Sequence, residues 1–523
     1  MTGASEVPRG PDGFDASVIV VGLGPVGSVL AALLADAGVH VLGIEANTNL
    51  YPLPRAAHVD HEVMRVFQRL GLVNAIQGSL RAPHAYEFRT ASGEALLRFE
   101  IDATGSPSGW AAGYMIHQPG IEAALRRKLV KHPLVTLSTG ARLTEMCQDA
   151  DGVTVAYETE GCKGTKRARF LVGCDGASSR VRETLGIGLE DLAFDEPWLV
   201  IDALVEEGTP LPDINLQICD PARPTTSALM PAGRHRWEFM IRPDETSEQV
   251  LDEAFIAALL EPWGVADRAR IERKAVYRFH GLLAHNWRER RVLLAGDAAH
   301  QMPPFAGQGL CSGVRDAANL AWKLAAVLEG RAAAPLLDTY QTEREPHVRG
   351  YVELAIQMGK VVCTLDPGAA AARNAAMLAQ RAAGAAPPQP PQPVLGPGLA
   401  LQTSPAAGAY FPQPFARVGA DTLRLDDVLG PGAWLIAREA APSQDGALDA
   451  HDGVEVFGLA EDRLAPFRAP LAAWLERRDA PAVLVRPDRY VFGVGEASDL
   501  LSGYARALGA TLRGAAATAE TTA

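Results

Sequence analysis

Residues 17–38, SVIVVGLGPVGSVLAALLADAG, constrain the fold more tightly than any other stretch. An apolar run of strand length stops at Gly22, glycines follow at Gly24 and Gly27, and an Ala/Leu-rich helical pattern begins at once. Glycine at these positions permits a tight turn, lets backbone approach a pyrophosphate, and brings helix close to strand. The next strand pattern, VHVLGIE, ends in Glu45, about 20 residues on, where a carboxylate accepts hydrogen bonds from an adenosine ribose. Strand, glycine turn, helix, strand and terminal acid together predict a parallel β-α-β unit that holds FAD or NAD. The acid argues against a 2′-phosphate, and so against NADP, at this site.

Two later stretches repeat this grammar. FLVGCDGASSRVRETLG is an apolar strand, then Asp175 and Gly176, then a helix that carries Arg180 and Arg182. RVLLAGDAAHQMPPFAGQG, residues 291–309, is a buried-strand pattern ended by Gly296 and Asp297, a loop stiffened by Pro303 and Pro304, and a helix start at Gly307 to Gly309. The following helix shows Val314, Ala317, Ala321, Leu324 and Leu328 at helical spacing. This arrangement offers one carboxylate for hydroxyl groups and a cluster of free backbone N–H donors where negative charge is stabilised. Between these stretches, YMIHQPGIEAALRRKL predicts a short strand, Gln118 at a turn and a helix behind Pro119, and Asp151-Gly152 marks a hairpin turn. Arg55, behind two prolines, precedes another helix; as a lone residue it reads as a surface charge, and His58 and His61 as local hydrogen-bonding groups.

From Phe194 to Trp287 the pattern changes to alternation (WLVIDALVE, NLQICD, HRWEFMIRP, RKAVYRFH), which predicts a mostly antiparallel sheet with one helix. RVLLAGD then returns to buried-strand character, so the sheet is an insertion and the cofactor domain is discontinuous. The expected boundaries are 15–193 with 288–365 for the cofactor domain, 194–287 for the inserted sheet, 366–399 for an Ala/Pro-rich linker, and 400–513 for a small C-terminal α/β domain. The fold class is α/β: a Rossmann-like domain for FAD or NAD, an inserted mostly antiparallel β-sheet, and a further α/β unit.

A net charge of −13 disfavours nucleic acid or an anionic membrane as partner. Six cysteines without a CxxC or a Cys/His cluster support neither a disulfide framework nor a metal site, which fits a reducing cytoplasmic setting. No apolar run approaches the roughly 18 residues of a membrane span, and residues 1–17 read as a disordered leader.

With GLGPVG, Glu45, CDG and AGDAAHQMPPFAGQG in place, the chain resembles the class A flavoprotein aromatic hydroxylases, the para-hydroxybenzoate hydroxylase group. The stretches PRAAHVDHEVMRVFQRLGL and CDPARPTTSALMPAGRHRWEFMIRP are most similar to 3-(3-hydroxyphenyl)propionate and phenol hydroxylases, over about residues 15 to 365. The tail resembles that group's thioredoxin-like domain but lacks CxxC. On this likeness the three units are an FAD-binding domain, a substrate-binding sheet and a thioredoxin-like domain. The resemblance implies a pyrophosphate loop at Gly22, Gly24 and Gly27, Glu45 on the ribose, and FAD contacts from Arg55 and Gln118, which overturns the surface reading of Arg55. It places backbone near Leu143 at the adenine, Asp175 and Gly176 in a motif shared by FAD and NAD(P)H, and Arg180 against the nicotinamide cofactor. Asp297 becomes the acceptor for the ribityl hydroxyls, Pro304 and Phe305 line the flavin and substrate, and Gly307, Gln308, Gly309 and Leu310 present N–H groups to the reduced ring.

The implied activity is hydroxylation of a phenolic ring with NAD(P)H and O2, through a flavin C4a-hydroperoxide, in aromatic catabolism; a homo-oligomer, dimer favoured, is expected. Tyr277 and His280, on the strand leading back toward the flavin, are candidate partners of the phenol, and Arg223 is a candidate for a substrate carboxylate. No metal is required. The competing readings are another FAD/NAD(P)H oxidoreductase, of epoxidase or halogenase type, a plain NAD dehydrogenase, and a non-catalytic FAD-binding scaffold. A WxWxIP motif, which a halogenase needs, is absent, and a dehydrogenase leaves Asp175 and the Asp297 stretch unexplained.

Overall fold

The glycine-turn segment folds into strand Ala16–Val21, helix Pro25–Asp36 and strand Val41–Glu45. In this computed structural model, residues 13–101, 106–385, 393–419, 421–439 and 453–520 are described; the leader and the proline-rich stretch of the linker lie largely outside them. Strand Ala16–Val21 is central, paired in parallel with Val41–Glu45 on one side and Cys162–Gly173 on the other. The sheet extends in parallel to Val135–Thr139 and to Val292–Leu294, so the strands before Asp175 and before Asp297 are neighbours. A parallel strand order places the C-terminal ends of all these strands, and the turns that follow them, along one edge. The hairpin expected at Asp151-Gly152 joins Arg142–Gln148 to Val153–Thr159.

A second eight-stranded sheet stands against this edge. Its order is His300–Gln301, Ala269–Ala284, Leu189–Val205, Arg234–Met240, Thr225–Leu229, Asn215–Ile218, Ala85–Arg89 and Ala95–Glu100. It is antiparallel except where Asn215–Ile218 pairs in parallel with Ala85–Arg89. Three of its strands thus lie outside the expected 194–287 stretch, two recruited from before residue 101 and the short His300–Gln301 from after residue 287. Alternation gives each strand two faces. Leu199, Ile201, Trp237 and Phe239 face outward under the helix Glu253–Leu260 and pack on Ile256 and Leu260. Trp198 and Met240 face inward and join the core shared with the first sheet. Each such fully buried side chain contributes about 1.5–3 kcal/mol relative to exposure.

Residues 367–382 of the linker form a helix capped by Asp366, which accepts from Ala369 N at 2.7 Å. The C-terminal unit has a four-stranded sheet (Val454–Gly458, Ala433–Ala437, Ala482–Val485, Val491–Gly495) and its own core around Phe411, Trp434 and Phe457. It is bound to the rest by buried charge. Arg65 meets Asp426 at 2.6 Å, and Glu343, on the helix Thr339–Val362, accepts from both Lys323 and Arg486 at 2.7 Å.

Candidate active site

A cavity of about 840 Å³ runs along the strand-end edge of the parallel sheet. Gly22, Gly24, Glu45, Arg55, Gln118, Leu143, Asp175, Gly176, Arg180, Asp297 and Leu310 all line it. Gly22 has φ +89°, and a Cβ there would lie 2.5 Å from the Cys174 carbonyl oxygen. Gly27 lies beneath the surface, where a Cβ would sit 1.9 Å from the Gly22 carbonyl oxygen, so helix and turn touch backbone to backbone. A Cβ on Gly24 would meet no protein atom; it would project toward the cavity that this residue lines. The helix Pro25–Asp36 starts there with no side-chain cap and no acidic residue in its first turn, leaving N–H donors and the positive end of the helix dipole for an anion. Glu45 accepts from Leu23 N at 2.8 Å and Asn47 N at 2.9 Å, which fixes its carboxylate at the rim.

Gln118 acts on the loop that carries Arg55. Its side-chain oxygen accepts from the backbone N of Arg55 at 3.2 Å and of Ala56 at 2.6 Å. The Arg55 guanidinium is exposed and lies over the Tyr51 ring at 4.4 Å. Asp175 accepts with both carboxylate oxygens, from the Ser179 hydroxyl at 2.5 Å and from Val181 N at 3.0 Å, and so holds the start of the helix Arg180–Thr184. Arg180 stands at the rim, mostly exposed, with only a 3.8 Å contact to Glu183. Arg126, which no motif singled out, also lines the cavity, with its Nε unpartnered.

Asp297 sits in a short turn after Val292–Leu294. It is accessible and lines the cavity, and desolvation by the surrounding protein raises its carboxyl pKa, opposed by His300 and Arg55. Asp316 braces this turn from behind. It accepts from Gly296 N at 3.1 Å and pairs with His300 at 2.6 Å and Arg344 at 2.9 Å. Arg182 ties the two acidic loops together by donating to the carbonyls of Ala177 and Ala298.

Further along, the His58 ring donates to the Gly307 carbonyl at 3.0 Å, and burial lowers its pKa, so it is neutral. Gly307 has φ +63°, and a Cβ there would lie 2.8 Å from that ring. Gln308 accepts from Arg315, which also pairs with Asp60 and Glu62. The helix Gly309–Leu328 therefore begins in a fixed position with no side-chain cap on its first-turn N–H groups, and Leu310 faces the cavity. Pro304 and Phe305 form the preceding turn. Phe305 is buried edge-on against Phe194, Trp198 and Phe279, so this loop rests on the inner face of the second sheet.

That inner face is polar near the cavity. Arg236 pairs with Asp202 at 2.7 Å and donates to the Arg55 carbonyl at 2.9 Å, while Arg273 donates to the Pro54 carbonyl at 2.5 Å. Thr226 donates to Gln217, which donates to the Tyr86 hydroxyl at 2.7 Å. Tyr277 shares the face, with the Arg273 guanidinium 4.8 Å above its ring. His280 takes the opposite parity from Phe279 and contacts Asp195 at 3.6 Å. Arg223 is engaged by both carboxylate oxygens of Glu245. Asp202, Arg236 and Arg273 are site residues the sequence reading did not single out; the alternation in HRWEFMI was the available signal for Arg236.

The FAD binding domain family matches residues 15–355, and the HcaD C-terminal domain family matches residues 408–510. The chain belongs to the FAD-binding hydroxylase family. A probable NADH-specific resorcinol 4-hydroxylase of Rhodococcus jostii (strain RHA1) is 37% identical to it over 516 residues, covering 96% of each chain. A 3-(3-hydroxy-phenyl)propionate/3-hydroxycinnamic acid hydroxylase of Mycobacterium sp. (strain JLS) is 35% identical, covering 92% of this chain and 89% of the relative. A solved complex of aklavinone-11 hydroxylase with FAD and aklavinone superposes with a TM-score of 0.75 at 25% identity, over 95% of this chain and 99% of the other. The enzyme is an FAD-dependent aromatic monooxygenase with NAD(P)H as co-substrate. Its cavity fits the cofactor on its own chemistry: a glycine cradle at a bare helix N-terminus suits a pyrophosphate, and the cavity-lining Asp297 carboxylate suits a polyol chain. Among the described residues no cluster could hold a metal ion, and no helix is long and apolar enough to cross a membrane.

Proposed function

We propose that this enzyme hydroxylates a small phenol in the space between the cofactor cavity and the inner face of the second sheet, with NADH as the electron donor. One observation carries the reading: the loops that line the cavity are the loops that touch the sheet. The carbonyls of Pro54 and Arg55 accept from Arg273 and Arg236, and Phe305, ahead of the Gly309 helix start, packs on Trp198 and Phe279. A ring bound on that face is next to the flavin end of the cavity. When bound, FAD supplies acceptance of reducing equivalents from the nicotinamide and activation of O2.

The chain does the rest. With FAD bound, Asp297 would hold the ribityl chain, the bare N–H groups at Gly309 and Leu310 would stabilise negative charge on the flavin, and the Phe305 cluster would exclude water from the site. Tyr277 is a partner for the phenol from the sheet side, and Arg180 at the rim a contact for the nicotinamide phosphates. NADH as donor is supported by the name of the Rhodococcus relative. A cytoplasmic homodimer is part of the same reading.

Purified enzyme is expected to be yellow, to release FAD on denaturation, and to consume NADH and O2 faster when a phenol is added. Oxygen uptake unchanged across a panel of phenols would overturn the reading in favour of a non-catalytic FAD-binding protein.

A further inference from the structure

Glu238, on the inner sheet face, has no hydrogen-bond donor among the described residues. Glu238 is 8% exposed and lies two residues along the same strand from Arg236, on the same face. The Arg236 guanidinium approaches it only to 3.8 Å, beyond hydrogen-bonding range. Arg236 is committed elsewhere: its Nε and Nη2 hold Asp202 at 2.7 and 3.0 Å, and its Nη1 donates to the Arg55 carbonyl. Across the register Glu238 faces Val200 and Thr226, and the Thr226 hydroxyl donates to Gln217 instead. No N–H or O–H among the described residues donates to Glu238, although its side chain is not wholly enclosed. A buried carboxylate in that state is costly unless a ligand supplies the donor. Burial raises its pKa, with Arg236 opposing.

The cations give the complementary half. Arg236 and Arg273 on this face are held by Asp202 and by main-chain carbonyls. Arg223 is taken by Glu245. Arg373, which reaches in from the linker helix, spends its guanidinium on the carbonyls of Val361 and Cys219 and the amide oxygen of Asn374. A substrate carboxylate would meet the Glu238 carboxyl group among guanidinium groups that the protein already engages.

We propose that Glu238 accepts the hydrogen bond of a substrate hydroxyl, and that the site thereby selects neutral phenols, such as a benzenediol, over phenols that carry a carboxylate. This rests on the phenol-hydroxylase reading above. It assigns Glu238 to substrate binding and gives Arg223 no part in it.

The test uses full-length, FAD-loaded enzyme. The flavin absorbance is titrated with 1,3-dihydroxybenzene and, separately, with 3-hydroxybenzoate and 3-(3-hydroxyphenyl)propionate, and NADH oxidation coupled to product is followed for each. The diol is expected to bind and be hydroxylated, with the carboxylated phenols at least about ten-fold weaker. Glu238→Gln is expected to weaken the diol about 10- to 100-fold with FAD content unchanged, since a bond to a charged acceptor is lost, and Glu238→Asp to recover part of that loss. Wild-type diol affinity in Glu238→Gln overturns the assignment. So does a wild-type enzyme that prefers the carboxylated phenols, a result that needs no variant to fold. If no phenol of either kind perturbs the flavin or stimulates NADH oxidation, the phenol-hydroxylase reading itself falls and takes this inference with it.

Discussion

The cofactor cavity and the inner sheet face are both polar, yet they are built in opposite ways. Along the cavity the chemistry is carried largely by backbone: glycine turns, bare helix starts at Pro25 and Gly309, and a few carboxylates at strand ends. On the sheet face it is carried by side chains paired across strands, with Asp202 between Arg236 and Arg273 and with Glu238 near Arg236 but without a hydrogen-bond donor. Backbone sites tolerate no added atom; paired-charge sites tolerate no missing partner. The first kind binds a cofactor common to many enzymes, and the second is free to vary with the substrate.

That contrast is broken or sharpened by four experiments. Asp202→Ala strips the carboxylate from two buried guanidinium groups, and removing one partner of a buried ion pair costs about 3–5 kcal/mol; chemical denaturation should show a loss of that size. A loss below about 1 kcal/mol would mean the sheet face is not held by its charges. Gly27→Ala forces a Cβ into the Gly22 carbonyl. Overpacking of this kind costs about 1–3 kcal/mol or more, and the protein should purify nearly free of flavin, read from its visible absorbance. Asp297→Ala removes one acceptor and adds no clash, so the fold should survive while FAD affinity falls about 10- to 100-fold, measured by flavin fluorescence on dilution.

The smallest effect is a pH effect on the outer side of the sheet. Burial, with a contribution from Arg81, lowers the His235 pKa to about 3. The folded protein keeps this ring neutral where an unfolded chain, titrating near 6.5, would bind a proton. Stability is therefore full above pH 6.5 and falls as the pH drops from 6.5 toward 3. By pH 5 the loss from this one group is about 2 kcal/mol. His235→Gln can keep the bond to Ser227 but never takes the proton, so its melting temperature should fall less steeply with acid than that of wild type. Parallel curves would show that other groups govern the acid limb.

The same contrast explains what could be read from the sequence. Gly22, Gly24, Gly27, Glu45 and Asp297 announce themselves because the constraint on each is local: a turn, a strand end, a helix start within a few residues. Asp175 was legible as a motif but not in its atoms, since its carboxylate oxygens hold the start of the next helix. Glu238 was not legible. Alternation put Arg236, Glu238 and Met240 on one side of a strand, but what distinguishes Glu238 is the absence of a donor, and that depends on register with Leu189–Val205 and Thr225–Leu229. His58 looked like a local hydrogen-bonding group because its partner, Gly307, is far away in sequence. Tyr86 belongs to a strand that no sheet pattern in its own neighbourhood announced.

The two strands recruited from residues 85–100 bear on how such enzymes can be recombined. Because Ala85–Arg89 pairs with Asn215–Ile218 and carries the edge strand Ala95–Glu100, this part of the sheet is written in two separated pieces of the chain. A chimaera that grafts residues 194–287 from a relative would import Gln217 and Glu238 but keep the host's Tyr86. Transplanting selectivity therefore requires moving both pieces together, while the flavin cavity, whose glycine turns and Asp297 lie outside those segments, can remain as it is.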